Sequence, residues 1–323
     1  MNLPYLGMLG ARSRRWSQRL AWATGAIAVT ALAWSSPSWA GDPFGRAEPH
    51  DIDDATAAAF VAIFERGNYV EAATYLEAAD DDEPMAHAMR ASYAFLNGEI
   101  GDMADYAEAT RTSGEALIDG DDPLRGHLYT AMGLLMEGAA IFLEDGAVAG
   151  TPAIFSRLPQ VYRHLEQAED IDPNDPELNL VWGYLDLLLA VNLPFSNPDM
   201  AIARLENYAQ PEYISQRGIA VGQRDLRNQG EAMAAVDRAL ALAPNNPELM
   251  YLKAQIFVLQ GDNAGSLPWF QQATALEAQL PQSLANQIAY EGCRAERRVT
   301  QADVSCSPLL EREAADTVAD AEL

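Results

Sequence analysis

Residues able to do chemistry are few in this chain, and they are scattered. The four histidines, His50, His87, His127 and His164, stand far apart. None forms His-Glu-x-x-His, and no cysteine–histidine pair has the spacing of a zinc site. Each reads as a surface or groove histidine, so no metal ligand is assigned. The run Asp170-Ile171-Asp172-Pro173-Asn174-Asp175 begins like a calcium loop. Such a loop needs Gly at its sixth position and Glu at its twelfth, where Asp175 and Val181 stand. A turn is the better reading, as it is for Asp80–Glu83 and Asp119–Asp122, whose carboxylates can cap helices. There is no Gly-rich phosphate loop, no Gly-x-Ser-x-Gly elbow and no dinucleotide fingerprint. No catalytic residue and no cofactor is assigned, and the chain reads as non-enzymatic.

Two pairs of residues carry more information. Cys293 and Cys306 lie thirteen residues apart. In an oxidising compartment an isolated pair reads as one disulfide, closing a short loop for about 3 kcal/mol. A redox-active pair is the alternative, and it would more usually be spaced Cys-x-x-Cys. Arg217 and Arg224 are seven apart, two turns along one helical face. Aligned arginines can receive a carboxylate or an acidic peptide, or pair with acids of their own chain.

Composition limits the partners. The chain has 323 residues, 49% of them hydrophobic, enough to bury a core. Residues 1–40 read as a signal peptide. Arg12, Arg14, Arg15 and Arg19 give a basic start, Leu20–Trp34 a 15-residue apolar run, and Ser38-Trp39-Ala40 a cleavage site. Ser13-Arg14-Arg15-Trp16 raises twin-arginine export, although Ser17 and Gln18 stand where apolar residues usually follow. Cleavage leaves 17 basic against 47 acidic residues, a formal charge of −30. That charge disfavours nucleic acid and anionic membranes. The apolar run is too short for a confident span, so no stable membrane insertion is expected after cleavage. An exported location is expected.

The elements that position these residues are helical throughout. Residues 41–54 read as a polar linker. Helical patterns run over Ala55–Glu65, Val70–Ala79, Met85–Leu96, Asp102–Leu117 and Leu124–Leu143. A loop follows over Glu144–Pro152, then helix over Ala153–Ile171, where Pro159 is a candidate break. Leu178–Val191 and Asp199–Tyr208 form a fourth hairpin, and further hairpins begin at Pro211 and Pro247. A last helix covers about Pro281–Arg298. Residues 299–323 read as an acidic tail, partly disordered, holding the second cysteine of the pair.

The stretch Gly230–Leu276 shows the repeating unit. Its positions Ala232, Val236, Ala239 and Pro244 recur as Ala72, Leu76, Ala79 and Pro84, and as Val161, Leu165, Ala168 and Pro173. Ser266, Phe270 and Ala273 repeat them again, with Ala278 where the proline would fall. Trp182-Gly183 supplies the large-then-small pair of the first helix. Lys253-Ala254 and Tyr106 depart from the pattern. This grammar resembles the tetratricopeptide repeat, a 34-residue helix–turn–helix unit. The resemblance implies an all-α, right-handed superhelical solenoid of about six hairpins over residues 55–298. It implies a concave face lined by the first helix of each hairpin. On this chain that face includes Leu180, Tyr184, Leu187, Arg217, Val221, Arg224, Tyr251, Gln255 and Val258.

From it follows the expected function, a scaffold that holds a protein or peptide in its groove through Tyr184, Arg217, Arg224, Tyr251 and Gln255. The alternative is a groove for a small ligand or a cation. The signal, the acidity and the cysteine pair are similar to exported repeat proteins of photosynthetic bacteria. That likeness implies a periplasmic or thylakoid-lumen location, and a role in assembling an envelope or thylakoid complex.

Overall fold

Prolines and short polar side chains decide where the helices begin. In the computed structural model, Pro84, Pro123, Pro176, Pro198 and Pro247 each open a helix. Proline suits that position because the first N–H groups of a helix have no internal partner and its φ is already helical. The residue before each proline caps the helix. Asp122 accepts from Arg125 N at 3.1 Å, Asp175 from Leu178 N at 2.8 Å, and Asn246 from Glu248 N at 2.9 Å. Pro84 therefore belongs to the helix it opens, and the acidic turn before it supplies the cap Glu83.

The structure describes residues 41–192, 197–302 and 305–306. The signal peptide read over residues 1–40, the loop residues 193–196 and nearly all of the tail beyond Thr300 lie outside the described residues. Among the described residues the fold is all helical. The helices are α1 (Asp54–Phe60), continued by a π-helical turn Val61–Glu65, then α2 (Tyr69–Leu76), α3 (Pro84–Asn97) and α4 (Ile100–Ile118). After them come α5 (Pro123–Ile171), α6 (Pro176–Asn192), α7 (Pro198–Asn207) and α8 (Glu212–Asp225). The chain goes on through α9 (Gln229–Leu242), α10 (Pro247–Leu259), α11 (Asn263–Thr274), a short turn Glu277–Gln279, and α12 (Gln282–Thr300).

Sequential helices pack as hairpins around small residues. Ala232, Val236, Ala239, Ser266 and Ala273 are all fully buried. One close crossing joins α4 to α5. A Cβ on Gly133 would lie 2.5 Å from Arg111 N, so only glycine lets the two backbones meet there.

The long α5 differs from the sequence expectation. Instead of a loop over Glu144–Pro152, one residue breaks the helix. Gly146 (φ 76°, ψ 174°) occupies backbone space essentially open to glycine alone. The chain reverses there, and two arms run back to back. Pro159 lies inside the second arm and does not divide it. The first arm, Pro123–Gly146, is long and apolar enough to cross a membrane by length and composition. Here its Leu124, Leu128 and Ala131 pack with Val161, Leu165, Leu178 and Trp182 in a core of their own.

Residues far apart in sequence also meet. Asn246 Nδ2 donates to the carbonyls of Phe64 and Glu65 at 3.0 and 3.3 Å, and Tyr69 Oη donates to Glu248 at 2.8 Å. Ser283 on α12 donates to the Leu96 carbonyl at the end of α3. The first hairpins thus touch the last.

Residues 41–54, read as a linker, are instead a packed strap. Asp42, Phe44 and Ile52 are buried, and Asp53 caps α1 by accepting from Ala55 N and Thr56 N. The strap carries enough apolar side chain to be worth burying, which a linker does not.

Cys293 and Cys306 form a disulfide, with Cα atoms 5.9 Å apart. It ties the chain beyond α12 back onto that helix. Replacing both cysteines with serine should lower the stability by about 3 kcal/mol, read from urea denaturation. An unchanged midpoint would show that the tie does not constrain the unfolded chain.

Candidate ligand cavity

Four helices line one space. These are α3, the first arm of α5, α6 and α8. Their facing sides enclose a cavity of about 600 Å³. Met85, Ala88 and Met89 of α3 form one wall, and Met132, Leu135 and Met136 of α5 form the next. Leu180, Tyr184, Leu187 and Val191 of α6 face Ile214, Gly218 and Val221 of α8. The floor lies near the helix N-termini, where Phe44 of the strap meets Phe60, Tyr129 and Glu177. Toward the C-terminal halves of α3, α6 and α8 the lining includes Ser92, Leu188, Asn192 and Asp225, which are exposed. From Glu177 to Val191 the lining residues of α6 span about 21 Å along the helix. The volume falls within the range of small-molecule sites, and the lining is apolar with a few polar groups, as such sites are. The methionines give it adaptable walls.

Beneath the floor lies a buried ionic cluster, which fixes the strap. Arg46 reaches in from the strap and donates from Nε to Asp175 at 2.6 Å, from Nη2 to Glu177 at 2.7 Å, and from Nη1 to Asp42 at 2.8 Å. Arg125, only 1% exposed, is paired with Glu83 and lies 3.7 Å from Glu177. Tyr129 donates to Glu177, and His50 of the strap pairs with Asp122. Burial disfavours the charge on Arg125, but Glu177, Tyr129 and Glu83 more than offset it, and its pKa lies above the ordinary value. Burial also disfavours the Arg46 charge, and Glu177, Asp175 and Asp42 outweigh it in the same way. Both arginines stay charged. The Tyr129 hydroxyl, buried beside Glu177, is pushed well above its usual pKa and remains a donor.

Acid loosens one member of this cluster. Burial works to raise the Asp122 pKa, yet the hydrogen bonds from His50 and Arg125 N bring it below 3.8. A depressed carboxylate contributes stability above its unfolded pKa, and loses it as the pH falls through the folded value. Below pH 4 the wild type should therefore lose stability more steeply than Asp122→Asn, in urea titrations between pH 5 and 2.5. Parallel curves would remove Asp122 from the acid response.

The five residues expected to bind a partner do not converge. Tyr184 alone lines the cavity. Its hydroxyl donates to the Ile214 carbonyl at 2.7 Å, and burial pushes its pKa up to about 12. The other four form a ridge across α8 and α10, with Glu291 of α12 beside it. Arg217 is paired with Glu248, which also accepts from Tyr69. Arg224 donates from Nε to Asp225 at 2.7 Å and from Nη1 to Gln255 at 2.6 Å. Gln255 in turn donates to Glu291 at 3.2 Å. Tyr251 packs on Phe270 with ring centroids 6.1 Å apart, and burial beside Glu291 raises its pKa. Both arginine charges are thus balanced by acids of the same chain.

No protein-family model matches the chain, and a search of curated proteins finds no match.

Sequence reasoning missed Phe44, Arg46, Glu177 and Asp175. The usable signal was a strap in which Asp42, Phe44 and Arg46 alternate just after the expected cleavage point. An arginine two residues from a phenylalanine is uncommon baggage for a solvated linker. Asp175, from the run that begins like a calcium loop, is instead held by Arg46.

Proposed function

We propose that this protein is an exported, non-enzymatic binding protein of tetratricopeptide-type hairpins. Its inner face holds a small apolar ligand or the tail of a single-chain amphiphile. The observation that carries this reading is the 600 Å³ apolar cavity, whose lining is exposed at Ser92, Leu188, Asn192 and Asp225. Leu180, Tyr184, Leu187 and Val221, assigned by the repeat register to the concave face, all line it. The strap supports the reading too, because an aromatic side chain anchored by a buried arginine closes the floor. The acidic-peptide reading has less support, since a peptide would have to displace Glu248 from Arg217 and Asp225 from Arg224. The disulfide is compatible with an oxidising, exported setting.

The test is a titration of the purified protein with an environment-sensitive fluorophore bearing an aliphatic chain. Saturable binding of one probe per chain, displaced by unlabelled long-chain alcohol, is the expected result. Absence of saturable binding would refute the reading.

A further inference from the structure

The reversal of α5 at Gly146 brings together two histidines that are 37 residues apart. His127 lies on the first arm and His164 on the second. Their Nδ1 atoms are 3.1 Å apart, with ring centroids at 5.3 Å and planes inclined at 44°. Both rings are half-buried. The other two histidines are engaged differently. His50 is held by Asp122, and His87 Nε2 meets the Asp81 carbonyl at 2.8 Å. Only the α5 pair presents two imidazole nitrogens to each other.

That spacing fits a metal chelate as well as a hydrogen bond. Imidazole nitrogens bind zinc at about 2.0–2.1 Å, so two of them on one ion stand roughly 2.8–3.4 Å apart, from square-planar to tetrahedral angles. We propose that His127 and His164 form a two-nitrogen site for a late divalent transition ion, copper(II) in preference to zinc, with water completing the coordination. Burial lowers the pKa of both rings, and for His164 the neighbouring His127 and Arg163 lower it further while Glu115 opposes them. Neutral imidazole is the form that ligates. Chelation needs both rings as the Nε2–H tautomer. The proton on the donating Nδ1 moves to Nε2 of the same ring, and only the charge of the ion is added. A formal charge of −26 draws cations toward the protein. Among the described residues no group of three or more His, Cys, Asp or Glu is placed to hold a metal. The site is thus a two-residue clip across the arms of α5, independent of the cavity.

Equilibrium dialysis of the untagged protein against copper(II), zinc(II) and calcium(II) tests the proposal. One copper ion per chain is expected, bound at least tenfold more tightly than zinc, with calcium not retained. His127→Gln and His164→Gln should each weaken copper binding at least tenfold, and His87→Gln should leave it unchanged. The electron paramagnetic resonance spectrum of the wild-type copper complex should show two nitrogen ligands, which needs no variant to fold. Failure to retain copper, equal retention by the double His127→Gln/His164→Gln variant, or a spectrum of oxygen ligands alone would overturn it.

Discussion

Replacing Arg125 with methionine should destabilise the protein by about 3–5 kcal/mol, because it leaves buried carboxylates without their cation. Arg125 is almost fully enclosed, with Glu83 on one side, Glu177 on another and the Tyr129 ring 5.1 Å from its guanidinium carbon. In the native protein burial already raises the Glu83 pKa, against the pull of Arg125. Removing the arginine removes that pull, so Glu83 would take up a proton more readily. A carboxyl group with a raised folded pKa contributes its stability at low pH and loses it as the pH rises through that value. The penalty of the substitution should therefore grow from pH 5 to pH 8. In a domain of this size the unfolding midpoint would fall by roughly 10 °C at neutral pH. Adding Glu83→Gln should recover part of the loss, since an amide has no charge to leave unpaired. Chemical denaturation at three pH values measures all of this. A loss below 1 kcal/mol, or one independent of pH, would show that the cluster is less tightly coupled than its burial implies.

Val221→Trp should abolish ligand uptake while keeping the fold. Val221 faces the cavity from α8 opposite Leu187 and is only partly buried. An indole there extends into open space instead of into packed side chains. Filling the space removes the apolar area a ligand would cover, and steric exclusion adds to that loss. The expected effect is at least a tenfold weaker affinity for the aliphatic fluorophore, with a denaturation midpoint close to the wild type. Arg224→Ala serves as the contrast, because Arg224 lies on the ridge and bonds Asp225 and Gln255. It should leave probe binding unchanged. The opposite pattern, with Arg224→Ala impaired and Val221→Trp normal, would move the binding surface from the cavity to the ridge.

The helices and their ends were legible because they depend on neighbours in sequence. Glu83-Pro84, Asp122-Pro123 and Asn246-Pro247 were legible as breaks between helices, and the structure makes each a helix start through capping and the fixed φ of proline, both of which act within a few residues. The small residues at Ala232, Ala239 and Ala273 were legible as packing positions for the same reason, since their period is that of the helix. The α5 turn was only half legible. Gly146 was in view, but whether one glycine or a nine-residue loop reverses the chain depends on how closely the two arms pack.

The binding residues were hardest to place. Arg217 and Arg224 share a helical face, yet each one's charge is balanced by its own acid, and the acid on Arg217 comes from another helix, Glu248 on α10. Tyr184 lines the cavity, but its neighbours there, Phe44, Met132 and Met136, come from elements that no helical period connects to it.

By itself the sequence determined the helical class, the hairpin order and the cysteine partners, because each follows from local propensity, capping or the lack of any other candidate. Tertiary structure alone decided the rest. Arg46 finds Asp175 and Glu177 across about 130 residues, His127 finds His164 across 37, and four separate helices combine to wall one cavity. Charge pairing and burial act through space, so no reading of spacing along the chain could have assigned those partners.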